Sequence, residues 1–256
     1  MLVKHQPIAL SIAGVDSSGG AGVAVDLATF SALGVQGKCV VTAVTAQSSK
    51  AVWGVQGTRP TMITAQLEAA LSEHPPQVAK CGMLYSGGVV EAVAEFWGQR
   101  RTPLVVDPVL VASSGAALLN PAGVRALKRR LLSLAAVVTP NVPEAEALTG
   151  LSLKTPQDLR QGARALYEMY GCAAVITGGH LLGNEIVEVV YDGLDEYQCT
   201  TPRLRGGPWR GPGCRFAPAV AAELAKNNSL SIAVRKATEW VSAELAKYKG
   251  GSRTTR

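Results

Sequence analysis

Residues 8–34 read IALSIAGVDSSGGAGVAVDLATFSALG. Residues 8–13 form an apolar run that ends at Gly14, which predicts a buried β-strand. A glycine-rich loop follows, and residues 25–33 then carry apolar side chains at helical spacing until Gly34. The stretch therefore predicts a strand, a glycine loop and a helix, in that order.

The glycine loop at residues 14–22 allows a ligand to approach the backbone closely, because glycine has no side chain. Its sequence, GVDSSGGAG, matches neither the dinucleotide-binding Gly-x-Gly-x-x-Gly pattern nor the Walker A motif. No Lys-Ser or Lys-Thr pair closes it. A loop that lies against a substrate is therefore favoured over a phosphate-binding loop.

The rest of the chain continues the alternation of strands and helices. Apolar runs predict further strands at residues 39–44, 79–84, 104–106, 135–139 and 173–177, with helical patterns between them. The chain is 47% hydrophobic and only 17% charged, as expected for a parallel sheet with helices on both faces. No repeat or linker is evident, so we predict one α/β domain over residues 1–249 and a disordered tail over residues 250–256.

Two segments predict antiparallel pairing beside this parallel sheet. Residues 52–59 alternate in polarity and predict a short antiparallel pair or flap. Residues 185–191 and 196–200 flank Asp192 and Gly193, which predicts a hairpin.

Basic residues outnumber acidic residues by 25 to 19, which gives a formal net charge of +6. The basic residues are scattered, and aromatic residues make up only 5% of the chain, so no stacking platform for nucleic acid is evident. A basic balance suits an anionic small molecule equally well. We therefore expect a small-molecule ligand and no nucleic acid.

The five cysteines show neither metal-binding nor disulfide spacing. Such usage is typical of a reducing compartment, so we expect a cytoplasmic protein. We recognise no signal sequence, and no apolar run approaches the roughly 18 residues of a membrane span. No membrane association is expected.

Polar residues follow several of the predicted strands, at the sheet edge where ligands bind in such folds. Gln47 is either a ligand contact or a solvated loop residue. Asp107 precedes Pro108, so it either holds water or a metal ion or starts a turn. Glu144 lies in a first helical turn, where it either favours the helix dipole or lies near Mg²⁺. His180 has no nearby serine or cysteine partner and is interpreted as a loop residue.

A second glycine-rich stretch, residues 205–215, runs into the apolar pattern of residues 216–224. A glycine-rich turn at a helix N-terminus directs backbone N–H groups and the positive end of the helix dipole at one point. Such a point suits an anion, most often a phosphate. An ordinary loop into a buried helix is the alternative, because Gly-x-Gly is a weak signal.

Several of these motifs occur together, in the same order, in one family. The chain resembles the hydroxymethylpyrimidine and phosphomethylpyrimidine kinases of thiamin biosynthesis, up to about Lys226. The motif at residues 13–34 is long and specific, and the match continues at residues 42–47, 54–56, 82–84, 107–109, 139–145 and 178–181. The resemblance implies a ribokinase-like fold, a central mostly parallel β-sheet flanked by α-helices on both faces, usually in a homodimer.

The resemblance also implies an activity and a substrate site. The activity is ATP-dependent phosphorylation of 4-amino-5-hydroxymethyl-2-methylpyrimidine and then of its monophosphate. The implied pyrimidine site consists of Gly14, Asp26, Gln47, Met83 and Val109. In it, Gln47 and Asp26 would supply hydrogen bonds and Met83 would supply apolar packing.

For the phosphate side, the resemblance implies a Mg²⁺ site at Glu144, with Asn141 in the same motif. Gly211, Gly213 and Cys214 match the Gly-Thr-Gly-Cys anion hole of the family. Cys214 would be the base, at the position where sugar kinases of this fold carry an aspartate. A helix N-terminus is expected to lower the pKa of the Cys214 thiol, which would favour a thiolate.

The chain departs from the family at residues that handle phosphate. Thr177 and Ser113 replace lysines, and Pro212 replaces a threonine. Because proline has no N–H, the anion hole loses a donor of a kind that typically contributes about 3 kcal/mol. Arg210 and Arg215, predicted on the ATP side with Thr177, are permanent cations able to compensate. A second hypothesis is therefore a paralogue that binds the pyrimidine, or a related ring such as pyridoxal, without efficient kinase activity.

Overall fold

The structure is a computed structural model that describes residues 6–48, 50–112, 114–204 and 212–250. Within these residues nine strands form one sheet: β1 Ile8–Asp16, β2 Gln36–Gln47, β3 Val52–Gly57, β4 Val78–Cys81, β5 Leu104–Val106, β6 Val137–Val138, β7 Ala173–Thr177, β8 Glu185–Tyr191 and β9 Glu196–Pro202. The α-helices of the same residues are α1 Gly22–Ala32, α2 Pro60–Ser72, α3 Gly87–Trp97, α4 Pro121–Ala126, α5 Val142–Thr149, α6 Pro156–Tyr170, α7 Pro212–Ala225 and α8 Leu230–Gly250.

The strand order across the sheet is β3-β2-β1-β4-β5-β6-β7-β8-β9. The strands from β2 to β7 in this order pair in parallel, whereas β3, β8 and β9 join through antiparallel pairs at the two sides. Both predicted antiparallel segments are therefore confirmed. Because the central strands are parallel, their carboxyl ends meet at one edge of the sheet, where ligands bind in open α/β folds.

Alternate residues along the strands build a core on each face of the sheet. Leu10 and Ile12 of β1 belong to the core that is covered by helices α2 to α6. Ala9 belongs to the core on the other face, which is covered by α1, α7 and α8. This side-chain period of two is why a short apolar run suffices for each buried strand. In the described part of the chain, no helix is both long and apolar enough to cross a membrane.

The glycine loop after β1 doubles back over the end of that strand. Gly22 has φ of +66°, and a Cβ atom there would lie 2.1 Å from the carbonyl oxygen of Gly14. The Asp16 carboxylate holds the turn by accepting hydrogen bonds from the N–H groups of Ser18, at 2.8 Å, and Gly20, at 3.1 Å. The predicted order of strand, loop and helix is confirmed, and the loop holds Gly14 at the carboxyl edge.

Two elements between β5 and β7 are shorter than the sequence predicts. Strand β6 has only two residues, and the helical pattern between the strands predicted at residues 104–106 and 135–139 forms a regular helix only over Pro121–Ala126. The chain then continues through a π-helical turn at Leu127–Leu131 and a 3₁₀ turn at Leu132–Leu134. Leu127, Leu131 and Leu132 are all fully buried in these turns, so packing overrides the regular helical spacing.

The last two helices are longer than predicted. Helix α7 begins at Pro212 rather than near Phe216, because proline is well suited to the first position of a helix. Helix α8 extends to Gly250, the first residue of the predicted tail. The rest of that tail, residues 251–256, lies outside the described residues, as do residues 205–211 of the second glycine-rich stretch.

A buried polar cluster lies between α8 and the β8–β9 hairpin. Glu188 of β8 is 7% exposed and stands opposite Thr177 of β7 and Cys199 of β9. Thr238 of α8 is buried beside it. Within the described part of the chain, Glu188 Oε2, Thr238 Oγ1 and the hydroxyl of Tyr197 have no partner within hydrogen-bond geometry. Burial raises the pKa of the Glu188 carboxyl to about 7.

The Glu188→Gln variant is expected to be more stable than the wild type at pH 8 and equally stable below about pH 4. A carboxyl whose pKa is raised in the folded state favours folding while it is protonated, and that contribution is lost as pH rises from about 4.5 to about 7. The difference in pKa corresponds to roughly 3 kcal/mol of unfolding free energy. Urea unfolding at both pH values measures it.

Glu185→Gln is the matched control for this prediction, because Glu185 is exposed on the same strand and makes the same change of charge. Its effect on unfolding free energy should be small and independent of pH. A Glu188→Gln effect that does not vary with pH would contradict the assignment of a raised pKa.

Candidate active site

The predicted ligand residues lie along the carboxyl edge of the sheet. Strand β2 ends at Gln47, and the chain reaches Met83 just after β4. Asp107 directly follows β5, and Asn141 follows β6. Asn141 forms an isolated bridge with Thr177, the last residue of β7. The predicted pyrimidine side therefore lies toward β1, β2 and β4, and the predicted phosphate side toward β6 and β7.

A small apolar cluster, the Met83 cluster, lies on the pyrimidine side. Its members are Ala43, Met83 and Leu118, which are buried, with Val55, Tyr85, Val109 and Ala112 partly buried against them. The hydroxyl of Thr42 donates a 2.6 Å hydrogen bond to the Met83 carbonyl and holds this segment in place. A Cβ atom on Gly14 would lie 2.9 Å from the Met83 sulfur. The structure thus brings Gly14, Met83 and Val109 together.

Gln47 lies half-buried beside the glycine loop. Its backbone N–H donates to the Ser17 hydroxyl at 3.0 Å, and its Oε1 accepts from the Thr45 hydroxyl at 3.2 Å. Thr45 also donates to the carbonyl of Val15 at 3.1 Å. These bonds join the ends of β1 and β2, so they fix the position of the Gln47 side chain.

Asp26, on the buried side of α1, already has partners within the protein. Lys80 Nζ donates to Asp26 Oδ1 at 3.0 Å and to Oδ2 at 3.1 Å. The hydroxyl of Ser11 donates to Oδ2 at 2.6 Å. The Asp26 residue has no exposed surface. Its hydrogen bond to a pyrimidine therefore stays a prediction, while its ion pair with Lys80 is a feature of the structure.

Lys80 is the residue of this edge that the sequence analysis missed. It lies on β4 and is only 2% exposed. Besides its hydrogen bonds to Asp26, its Nζ atom lies 3.8 Å from Oδ2 of Asp107. Burial alone would lower the pKa of its ammonium group, but the two aspartates outweigh that effect and raise it. The sequence did carry a signal, because a lysine between Ala79 and Cys81 interrupts an apolar run, and lysine is almost never fully buried unless it is paired.

Two further carboxyl groups, Asp107 and Glu144, are near this ion pair. Burial, the largest effect, raises the pKa of both, and the Asp107 charge raises that of Glu144 further. The backbone N–H of Asn141 donates a 2.9 Å hydrogen bond to Oε2 of Glu144, and the backbone N–H of Glu144 donates a 3.0 Å bond to Oδ1 of Asn141. The two residues therefore form a capping box at the start of α5. The Asn-x-x-Glu motif therefore has a structural role whatever else it binds.

Cys214 lies half-buried in the first turn of α7. Burial raises the pKa of its thiol to about 12, and the charges of Asp107, Asp26 and Glu144 add to this effect. Lys80 acts in the opposite direction. The expectation that the helix N-terminus lowers this pKa is therefore wrong, because desolvation and neighbouring carboxylates outweigh the dipole. We call Asp26, Lys80, Asp107, Glu144 and Cys214 the Lys80 cluster.

The other residues predicted on the phosphate side are only partly described. Gly213 is exposed and Arg215 is half-buried, and both lie in the first turn of α7. Thr177 is half-buried, and its N–H donates to the carbonyl of Pro140 at 3.0 Å. Arg210, Gly211 and Ser113 lie outside the described residues.

A mostly parallel sheet with helices on both faces and polar groups at its carboxyl edge is typical of α/β enzymes. Solved structures of ribokinase-like kinases superpose on this chain and assign it to that class. The phosphomethylpyrimidine kinase of Clostridium difficile 630 does so with a TM-score of 0.83 at 32% identity, covering 93% of this chain and 99% of that chain. The Staphylococcus aureus pyridoxal kinase in complex with AMP-PCP and pyridoxal gives a TM-score of 0.83 at 33% identity, covering 93% and 87%. The predicted fold is confirmed.

The family follows from the sequence comparisons. A family model described as phosphomethylpyrimidine kinase matches residues 16–253. The hydroxymethylpyrimidine/phosphomethylpyrimidine kinase of Streptomyces coelicolor is 41% identical, over 93% of this chain and 88% of that protein. The Escherichia coli K12 enzyme of the same name is 38% identical, over 93% of this chain and 91% of that protein. The chain belongs to the phosphomethylpyrimidine kinase family.

One relative is considerably longer than this chain. The thiamine biosynthesis bifunctional protein ThiED of Geobacter sulfurreducens is 40% identical over 92% of this chain. The chain spans 48% of that protein's length.

Proposed function

We propose that this chain transfers the γ-phosphoryl group of ATP to 4-amino-5-hydroxymethyl-2-methylpyrimidine and then to its monophosphate, in thiamin biosynthesis. The observation that carries the proposal is the meeting of the Met83 cluster and the Lys80 cluster at one sheet edge, in a chain of this family. Relatives that are 38–41% identical and bear the name of this kinase favour it over a ligand-binding paralogue.

The pyrimidine ring would lie against the Met83 cluster. Gly14 has no side chain, so the Met83 sulfur packs against its backbone, where a Cβ atom would lie only 2.9 Å away. The ring would lie beside this contact, against Met83 and Val109. Gln47 would form hydrogen bonds with the polar edge of the ring. Its Oε1 is already held by the Thr45 hydroxyl and its backbone N–H by Ser17 of the glycine loop, so binding would cost little further ordering.

The ATP phosphates would lie toward the N-terminus of α7 and the ends of β6 and β7. Pro212 is the first residue of α7, a position at which a helix N–H has no helical partner in any case. The N–H groups of Gly213, Cys214 and Arg215 follow it, and the positive end of the helix dipole favours phosphate there. Solved pyridoxal kinases of this fold are complexed with ADP or AMP-PCP, which supports ATP as the phosphoryl donor. We place Asn141, Thr177, Arg210 and Arg215 on this side.

Glu144 would hold Mg²⁺, and its surroundings fit a cation. Its carboxyl group is buried beside a second carboxyl, that of Asp107, and a divalent cation would relieve this repulsion. Proteins commonly bind Mg²⁺ through one or two carboxylates together with substrate phosphates. Among the described residues, no group of three or more His, Cys, Asp and Glu side chains is arranged to hold a metal ion. When bound, Mg²⁺ would supply charge neutralisation on the phosphoryl oxygens.

The reaction itself is an in-line displacement. The hydroxymethyl oxygen forms a bond to the γ-phosphorus, and the bond from that phosphorus to the bridging oxygen of ADP breaks, with its electron pair leaving on ADP. The hydroxyl proton passes to the sulfur of Cys214, which must first be a thiolate. Lys80 assists this step as a positioning residue, because its charge favours the thiolate. The rest of the rate enhancement comes from holding the two substrates in line.

The remaining expectations are part of the same proposal. We propose that residues 1–249 form one domain, that the protein is a homodimer, and that it acts in the cytoplasm. Pyridoxal is a competing substrate, because a pyridoxal kinase and a phosphomethylpyrimidine kinase superpose on the chain with the same TM-score of 0.83.

A kinase assay tests this function. The protein is incubated with ATP, Mg²⁺ and either hydroxymethylpyrimidine or pyridoxal, and ADP release is followed beside calorimetric binding of each ring. Turnover with the pyrimidine, at a higher kcat/KM than with pyridoxal, is expected. Pyrimidine binding without ADP release would overturn the kinase in favour of the paralogue, and preferred turnover of pyridoxal would overturn the substrate.

A further inference from the structure

Trp53 is a large aromatic side chain that is left in water. It lies on the edge strand β3, and 73% of its surface is exposed. Among the described residues, it is the aromatic one in the set of exposed large hydrophobic side chains. Tryptophan is enriched at binding surfaces, because its large apolar ring gains much when a partner covers it.

The register of the β2–β3 pair places Trp53 beside Gln47. Ala46 pairs with Gly54 and Gln47 pairs with Val52, so Trp53 is the extra residue of a β-bulge. A bulge redirects a side chain, and such bulges are common beside active sites. Alternation places Val55 and Gly57 on one face of β3, and the bulge interrupts it at Trp53, the residue between Gly54 and Val52.

That face is the one directed at the proposed substrate. Val55 packs against the Met83 cluster, and a Cβ atom on Gly57 would lie 2.5 Å from the ring of Tyr85. Gln47, opposite the bulge, is the residue proposed to read the edge of the pyrimidine. Trp53 therefore lies at the carboxyl edge of the sheet, next to the residue that pairs with Gln47 and two positions from Val55, with most of its surface exposed.

We propose that Trp53 stacks on the ring of the bound pyrimidine and so determines which ring the enzyme prefers, a role that rests on the function proposed above. An indole offers a flat π-face and loses few rotamers on binding. Stacking of a nucleobase-type ring on an aromatic side chain is typically worth about 1–3 kcal/mol when tested by alanine substitution, or roughly 5- to 150-fold in affinity.

The test compares Trp53→Ala and Trp53→Phe with Val44→Ala. Val44 is the matched control, because it is 51% exposed on the same hairpin but pairs with Gln56 on the opposite face. Trp53→Ala is expected to raise KM for the pyrimidine about tenfold or more, to leave KM for ATP nearly unchanged, and to leave the melting temperature unchanged. Trp53→Phe should keep most of the affinity, and Val44→Ala should behave as the wild type.

A binding measurement separates this proposal from the proposed function. Hydroxymethylpyrimidine is titrated against wild type and Trp53→Phe without ATP, and the difference in tryptophan fluorescence is recorded. A pyrimidine-dependent change that Trp53→Phe abolishes is expected even if the wild type makes no ADP. Equal KM changes in Trp53→Ala and Val44→Ala, or no difference in fluorescence, would overturn the proposal. So would a lower sedimentation coefficient for Trp53→Ala with unchanged KM, because Trp53 would then contact a second copy of the chain.

Discussion

Replacing Cys214 with alanine is expected to lower kcat by about 100-fold or more while changing pyrimidine affinity little, since a general base typically contributes 10²- to 10⁴-fold. The thiol belongs to the Lys80 cluster and not to the Met83 cluster, so its loss removes no contact with the ring. ADP release gives kcat, and calorimetry gives the affinity for the pyrimidine. Equal losses in both quantities would contradict the role of a base.

The pH dependence of the same reaction adds a second readout. Because burial raises the pKa of the Cys214 thiol to about 12, only a small fraction is thiolate at neutral pH, and this fraction grows about tenfold per pH unit below the pKa. The wild-type kcat should therefore rise with pH above neutrality, and Cys214→Ala should lose that rise. Cys39→Ala is the control, because Cys39 is an exposed cysteine of β2. It should keep both the rate and the slope.

The fold could be predicted from the sequence wherever local pattern and packing agree. The glycine-bounded apolar runs that became β1 and β7 are short, buried and continuous, so their periodicity is unambiguous. The prediction was less accurate where tertiary packing decides. After Ala126 the apolar spacing still reads as a helix, but burial of Leu127 and Leu131 is achieved by a π-helical turn instead.

The candidate site could be predicted only for residues that stand at strand ends or in family motifs. Gln47, Met83 and Asn141 were predicted in this way, and the structure places them at the carboxyl edge, while their roles stay predictions. Lys80 was not, because its role depends on Asp26, which is 54 positions away in sequence and reaches it only through the packing of α1 on the sheet. The pKa of Cys214 was predicted in the wrong direction for a similar reason. A helix N-terminus is visible in a sequence, whereas desolvation and the approach of Asp107 are not.

Replacing Lys80 with methionine is expected to lower the free energy of unfolding by roughly 3–5 kcal/mol, the usual cost of breaking a buried ion pair by removing one partner. Lys80 is 2% exposed and Asp26 is fully buried, so the aspartate would keep its charge without a counter-ion or would have to be protonated. Asp107 would lose the nearby ammonium group as well. Urea unfolding at pH 7 measures the loss.

A double-mutant cycle shows whether the loss comes from the uncompensated charge. Adding Asp26→Asn to Lys80→Met removes that charge and leaves an amide for the Ser11 hydroxyl, so the double variant should lose less stability than the sum of the single variants. Lys154→Met, which breaks an exposed pair with Glu146, is the control and should change stability little. Additive losses, or a Lys80→Met variant as stable as Lys154→Met, would contradict the ion pair.

Because Lys80 also lowers the pKa of the Cys214 thiol, Lys80→Met should move the rise of kcat to higher pH. A loss of stability without that displacement would restrict Lys80 to a structural role.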